Sequence, residues 1–470
     1  MNSKKIASYA VGPIGASILG FITLPIITWF YSVEDVGRVS MLQVFTSFSI
    51  LLFCLGLDQA YIREYHSTTN KSLLLKAALL PGLILSIAFL SIIYLYDVTL
   101  ISKWLYEIPS AYLSLITILC FLVALISRFL SLVVRMQERA LAFSMSQLLP
   151  KLLFLLIILA SVWFGFSKDT YNLITANVLS IFLVFFIFLW NTRQDWVVSF
   201  RYKIEKEQLH KLFSFGLPLV IGGLASWGLN VMDKLFLRAL SNYSELGIYS
   251  VAMNIAAVAA ILSGIFNTIW APMVYKWESE NLVDISKIDN ISEVVLAIVY
   301  FVIVLSGLFS WVIPYLLPKQ YEVIQFLITS CLIGPLFYTL SETTAVGITL
   351  TRKTKLSMFA SIGAMLINFI GNYILVPKYG AMGATASTAI AFWSFFILRT
   401  EFSKLVWRKI PVLKSYICVT VLTFCAVMSM FFLSENLLAF ISLWLVLLFI
   451  GFFIFLNTIK RLIVQIRTGF

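Results

Sequence analysis

Apolar stretches of about 20 residues recur along the chain from Ile6 to Asn457, separated by short polar breaks. A helix rising 1.5 Å per residue needs about that many residues to cross a hydrocarbon core of ~30 Å, so each stretch predicts a transmembrane helix. The stretches are continuously apolar and do not alternate, which predicts helices and not the strands of a barrel. The pattern places spans at 6–30, 40–60, 73–96, 110–134, 141–164, 171–190, 212–233, 246–270, 291–315, 324–350, 356–376, 380–398, 415–433 and 437–457, about 14 in all. The expected fold class is therefore all-α integral membrane.

The polar breaks limit what else the chain holds. The longest, about 191–211 and 271–290, are each roughly 20 residues, too short for an independent domain. This excludes a separate catalytic or nucleotide-binding domain, and there is no Gly-rich loop ending in Gly-Lys-Ser/Thr to bind ATP. His66 and His210 fall in breaks far apart in sequence and read as solvated surface residues, not catalytic bases. The first apolar stretch is too long for a signal-peptide core and reads as an uncleaved first helix.

Composition agrees: 61% hydrophobic and 12% charged residues leave too little polar surface for a water-soluble globule. The formal net charge of +12 would suit a nucleic-acid partner, but the basic residues lie on alternate loops. Roughly 25 of the 34 Lys and Arg fall on the side that carries both termini and about 6 on the other. That asymmetry is the positive-inside rule, so both termini are expected in the cytoplasm and no nucleic acid is needed. The five cysteines sit in predicted spans without metal-type spacing, and neither disulfide, metal nor cofactor is expected. Trp29, Trp104, Trp163, Trp270, Trp311 and Trp444 lie close to span ends, as interfacial anchors do.

An internal repeat organises the spans. Gly12-Pro13, a helix, then Asp35-Val36-Gly37-Arg38-Val39-Ser40 is matched by Gly216-Leu217-Pro218, a helix, then Glu245-Leu246-Gly247-Ile248-Tyr249-Ser250. The stretch 138–165 matches 353–380; each begins at a basic turn and ends on glycine. Six spans separate the copies, an even number, so both have the same orientation. The expected architecture is two six-helix lobes in pseudo-two-fold parallel repeat around a central cavity: 1–195, a cytoplasmic linker 196–211, 212–400, and two extra C-terminal helices with a basic tail over 401–470. Pro13, Pro25, Pro218, Pro272 and Pro335 interrupt spans, either as tolerated kinks or as hinges.

A few charges fall too deep to reach water easily. Lys151 lies about 10 residues into its span, ~15 Å deep, where a lysine costs about 3 kcal/mol and needs an aqueous cavity or a carboxylate. Glu342 is the deeply placed carboxylate, a candidate proton or cation site or the partner of a buried base. Arg128 sits about two turns inside the cytoplasmic interface, either snorkelling or poised to bind phosphate. Asp58 with Arg63, and Asp233 with Lys234, read as interfacial charge pairs or gates. Lys151, Arg128 and Arg63 are thus the candidate substrate-binding residues, and Glu342, Asp58, Asp233 and Lys234 the candidate ion-coupling or gating residues. A cationic cavity suits an anionic substrate, because it replaces the water that a charge loses in hydrocarbon.

The stretches Ser32 to Ser40, Gly56 to Tyr65, Arg135 to Ala140, Met232 to Leu237, Glu245 to Ala252 and Val376 to Ala384 resemble O-antigen and capsule flippases. These are the polysaccharide transporters of the multidrug/oligosaccharidyl-lipid/polysaccharide exporter superfamily. The resemblance implies movement of an undecaprenyl-diphosphate-linked repeat unit from the cytoplasmic to the outer leaflet of the bacterial inner membrane by alternating access, coupled to an ion gradient. Candidate partners are the lipid-linked oligosaccharide, membrane lipids, H+ or Na+, and polysaccharide polymerase machinery. A lipid II flippase and a multidrug exporter share the architecture, and a polysaccharide polymerase or ligase shares the hydropathy. The last would carry a large basic outer loop, whereas the longest here, about 97–109, has one Lys and no Arg.

Overall fold

The computed structural model describes residues 3–280, 285–353, 355–434 and 436–468, and its regular structure is helical throughout. The chain divides into two compact units, Met1–Met232 and Asp233–Phe470. The first contains α1 (Ser3–Phe30), α2 (Val33–Cys54), α3 (Leu57–Glu64), α4 (Lys71–Tyr96), α5 (Leu100–Tyr106), α6 (Ala111–Met136), α7 (Ala140–Trp163), α8 (Thr170–Asn191), α9 (Arg193–Ser199) and most of α10 (Lys206–Leu240). The second contains the end of α10, then α11 (Tyr243–Ser279), α12 (Ile285–Leu308), α13 (Ile313–Leu316), α14 (Ile324–Thr344), α15 (Val346–Leu350), α16 (Lys355–Val406), α17 (Leu413–Phe432) and α18 (Leu437–Thr468).

Among the described residues, 12 helices are long and apolar enough to cross a membrane, and the two segments of α10 on either side of a break at 226–229 make up to 13. α16 alone has 52 residues, about 78 Å of helix if straight and more than twice a ~30 Å core. It turns at Gly380, where φ is 51°. Its limbs then pack antiparallel, since a Cβ on Gly371 would touch Ser387 and one on Gly383 would meet the Leu375 carbonyl.

Helix ends buried in lipid need their free N–H groups capped. Side chains of Ser32, Asn70, Ser110, Asp169 and Asn242 accept from Asp35, Leu73, Leu113, Asn172 and Glu245 respectively, each worth about 1 kcal/mol. Two further contacts carry the repeat into three dimensions. In the first unit Asp35, in the first turn of α2, accepts from the Thr170 hydroxyl at the start of α8, 135 residues on. In the second Glu245, in the first turn of α11, accepts from the Ala381 backbone N–H at the start of the outgoing limb of α16, at 2.7 Å and 136 residues on.

The sequence pattern ran one span over 40–60. The structure starts α2 at Val33 instead, because Asp35 and Arg38, polar enough to read as loop, are satisfied by Ser32, Thr170 and each other. It also breaks the span at Leu55 and Gly56, both at positive φ. The expected break at 271–290 shrinks, since α11 runs to Ser279 and α12 starts at Ile285; residues 281–284 lie outside those described. Two of the six expected interfacial tryptophans are core residues. Trp270 is buried, and Trp444 packs its ring where a Cβ on Gly307 would sit. The Tyr300 hydroxyl donates to the Leu447 carbonyl at 2.7 Å beside that contact, so α18 is fixed to α12.

Candidate functional site

Three of the seven candidate residues, Asp58, Arg128 and Glu342, gather in two ion pairs, one of them lining a cavity. The first unit holds a cavity of ≈ 690 Å³ between α2, α3, α6 and α10. Asp58 at the start of α3 and Arg128 on α6 both line it, and Arg128 Nη2 donates to Asp58 Oδ2 at 2.8 Å. Asp58 is therefore not paired with Arg63. Arg63 points its guanidinium over the Phe215 ring, 4.3 Å from the centroid, and is largely exposed. The remaining wall is mostly apolar or glycine: Ile50, Leu51, Pro218, Val220, Gly222 and Gly223. The α2–α3 junction closes against α10 backbone to backbone, and a Cβ on Gly56 would lie 2.0 Å from the Gly216 carbonyl oxygen.

Lys151 is the twelfth of the 24 residues of α7, at mid-helix. Its side chain is exposed, and no ion pair or hydrogen bond holds it among the described residues. It follows Pro150, and the turn before it, at Ser144 and Leu148, packs against Gly12 and Gly15 of α1. An uncompensated ammonium at that depth makes the protein a poor fit for lipid alone and a good one for an anion.

The second unit holds two carboxylates of different kinds, one half-buried and one buried. Glu342 on α14 receives Arg399 Nη1 at 2.6 Å, and that nitrogen also donates to Ser341 Oγ at 2.8 Å. The guanidinium lies 5.3 Å from the Phe395 centroid and 5.8 Å from that of Tyr338, a pair clamped from several sides. Glu342 is thus the partner of a buried base. That base is Arg399, one residue beyond the expected span 380–398 and therefore no signal by depth.

Asp233 is surrounded by neutral donors, where the sequence pointed to the adjacent Lys234. Its Oδ2 accepts from Tyr249 at 2.5 Å and Thr388 at 2.6 Å, and its Oδ1 from Asn372 at 2.7 Å and Asn368 at 3.1 Å. Lys234, half-buried, is the next residue along α10. The Asn372 side-chain oxygen is buried without a hydrogen bond. Rotating that amide would bring a second oxygen to the carboxylate, so the cluster has the chemistry to hold a proton or a small monovalent cation. Asn368, Asn372, Thr388 and Tyr249 carry no charge and gave no signal in the sequence. Among the described residues no three His, Cys, Asp or Glu side chains converge on a metal-sized site.

The first unit thus sets one guanidinium–carboxylate pair in a largely apolar cleft among membrane-length helices. The fold is similar to that of lipid II flippase MurJ in an inward closed conformation, at 15% identity over 97% of this chain and 99% of that one, with a TM-score of 0.66. It is also similar to an inward-facing multidrug resistance MATE family transporter of the MOP superfamily, at 14% identity over 87% and 96%, with a TM-score of 0.55. Residues 3–277 match the family described as polysaccharide biosynthesis protein, and the chain belongs to that family. A protein of the Lsg locus in Haemophilus influenzae is 20% identical over 345 residues, 71% of this chain and 79% of that one. Family and fold together make this a multi-pass helical membrane protein of a polysaccharide biosynthesis family.

Proposed function

We propose that this protein is a flippase that carries an undecaprenyl-diphosphate-linked oligosaccharide, an O-antigen or capsule repeat unit, from the cytoplasmic to the outer leaflet of the bacterial inner membrane by alternating access. The observation that carries the reading is Lys151, an ammonium at mid-helix with no protein partner among the described residues. A diphosphate supplies the missing counter-charge. The inside-negative potential favours outward passage of each negative charge by about 2.3 kcal/mol per 100 mV. The family's tie to polysaccharide synthesis selects a sugar-bearing lipid among anionic amphiphiles.

In this reading the two limbs of α16 are separate crossings and the two parts of α10 one, which gives about 14 spans with both termini cytoplasmic. The repeat divides as six-helix lobes at 1–195 and 212–400 with the linker 196–211 between them, and 401–470 is an appendage open to polymerase machinery. Asp233 takes the ion-coupling role with H+ or Na+, since its charge is held by neutral donors; Glu342, tied to Arg399, is structural.

The test is deletion in the native host, with assay of the sidedness of lipid-linked repeat units and complementation by Lys151→Ala and Lys151→Arg. The expected result is accumulation on the cytoplasmic leaflet, with export restored by Arg and not by Ala. Units that reach the outer leaflet but stay unpolymerised would overturn the flippase reading in favour of a polymerase.

A further inference from the structure

The two Arg–carboxylate pairs are built differently, and the difference assigns a role to one of them. Arg399 is clamped: its side chain is 11% exposed, and one nitrogen reaches both Glu342 and Ser341 between two aromatic rings. Arg128 is 34% exposed and its guanidinium makes one contact, Nη2 to Asp58 Oδ2. Of the five N–H donors an arginine carries, the rest have no acceptor among the described residues, and Arg128 is one of the residues that line the cavity.

We propose that Asp58 is a built-in stand-in anion, which occupies Arg128 while the cavity is empty and is displaced by the phosphate of a lipid-linked ligand. The cavity's chemistry defines that ligand. Beside a single guanidinium the wall is apolar, formed by Ile50, Leu51, Pro218 and Val220. A volume of ≈ 690 Å³ is in the range of a small-molecule site, enough for a phosphate-bearing head and the first units of its chain but not for an oligosaccharide. The ligand class is therefore a phosphate joined to an apolar chain, and either a prenyl diphosphate or a membrane phospholipid supplies it.

The mounting of Asp58 suits displacement. It sits in the first turn of α3, an eight-residue helix that hangs from Leu55 and Gly56, two consecutive residues at positive φ. Such a junction is strained for leucine, and with Gly56 held against Gly216 the freedom that remains is in the Asp58 side chain. Once displaced, the carboxylate keeps Gln59, whose Nε2 already donates to it at 3.0 Å. Exchange of one anion for another on the same guanidinium costs far less than stripping a bare cation of water, and it leaves the ligand easy to release. A transporter needs that second property as much as the first.

The inference rests on the proposed function, and one experiment separates them. Full-length protein in detergent, wild type, Asp58→Asn, Arg128→Gln and the swap Asp58→Arg/Arg128→Asp, is titrated with undecaprenyl diphosphate and separately with phosphatidylglycerol. Melting temperature is recorded for each, and flipping of repeat units is followed in cells. Removing the competitor is expected to tighten binding of the diphosphate roughly tenfold while slowing flipping, the worth of one uncontested charge-assisted hydrogen bond. Arg128→Gln is expected to lose binding, and the swap is expected to restore melting temperature without restoring binding. A merely structural pair predicts the reverse: Asp58→Asn weakens binding along with stability, and the swap restores both, which overturns the proposal. Tightening for phosphatidylglycerol alone leaves the exchange standing and removes the prenyl diphosphate as ligand. A wild-type protein that binds neither lipid overturns both readings.

Discussion

Glu342 and Asp233 are both carboxylates drawn into the helix bundle, yet their surroundings predict opposite responses to neutralisation. Glu342→Gln leaves Arg399 charged in a site 11% exposed, and loss of one partner of such a pair costs about 3 kcal/mol or more. The check is thermal unfolding in detergent, where the variant should melt well below wild type. Asp233→Asn removes a charge that no cation balances in its cluster, and rotation of the Asn372 amide gives the new N–H an acceptor in the oxygen that is now unsatisfied. It should fold with wild-type melting temperature, yet transport in proteoliposomes should lose its dependence on the ion gradient. A smaller effect lies outside the spans. Lys211 donates to Glu64 at 2.5 Å and holds its carboxyl below the ordinary range. Because the folded value is the lower one, that contribution is present above pH ~4.3 and is lost as pH falls through the depressed value. With Lys211 66% exposed it is worth less than about 1 kcal/mol. Lys151 was legible in the sequence because charge in an apolar run is conspicuous. The donors around Asp233 were not, because neutral polar residues are common in spans and carry no comparable signal.

The helices themselves were legible wherever apolar length decided them, and their ends were missed wherever polar residues turned out to be caps. Asp35 and Arg38 look like loop until Ser32 and Thr170 are seen to satisfy them. The break at Leu55–Gly56 was hidden because leucine at positive φ leaves no mark on hydropathy. Its partner is Gly216, and the contact is strict. Gly56→Ala places a methyl 2.0 Å from a backbone oxygen and also strains φ at +70°, so it should cost about 3 kcal/mol and lower expression of folded protein in the membrane. Trp444 reads as an interfacial anchor and is instead fully buried in the α12–α18 contact. Trp444→Ala should cost about 3–5 kcal/mol, measurable as a fall in melting temperature, where Trp163→Ala, 86% exposed, should leave it unchanged.

For the whole chain, the loop charges and the repeat carry the expected topology, which a reporter at the end of the chain tests. Reporter fusions after residue 470 should behave as cytoplasmic, fluorescent as a green fluorescent protein and inactive as an alkaline phosphatase. The two units differ in charge: the first carries Lys151, without an ion pair among the described residues, and the second the buried Asp233. What they share is a pair of long-range contacts, Asp35 with Thr170 and Glu245 with Ala381, spanning 135 and 136 residues. Each acid is made long before the helix it reaches. At about 5–20 residues per second the ribosome needs roughly 7–27 s to reach the partner, so each unit passes through a window in which that contact is missing, with Asp35 held only by Ser32 and Arg38 and Glu245 short of the Ala381 N–H. Biogenesis of this protein is therefore a two-stroke process with the same delay twice, and a mutation at either acid should act on survival through synthesis before it acts on the finished molecule.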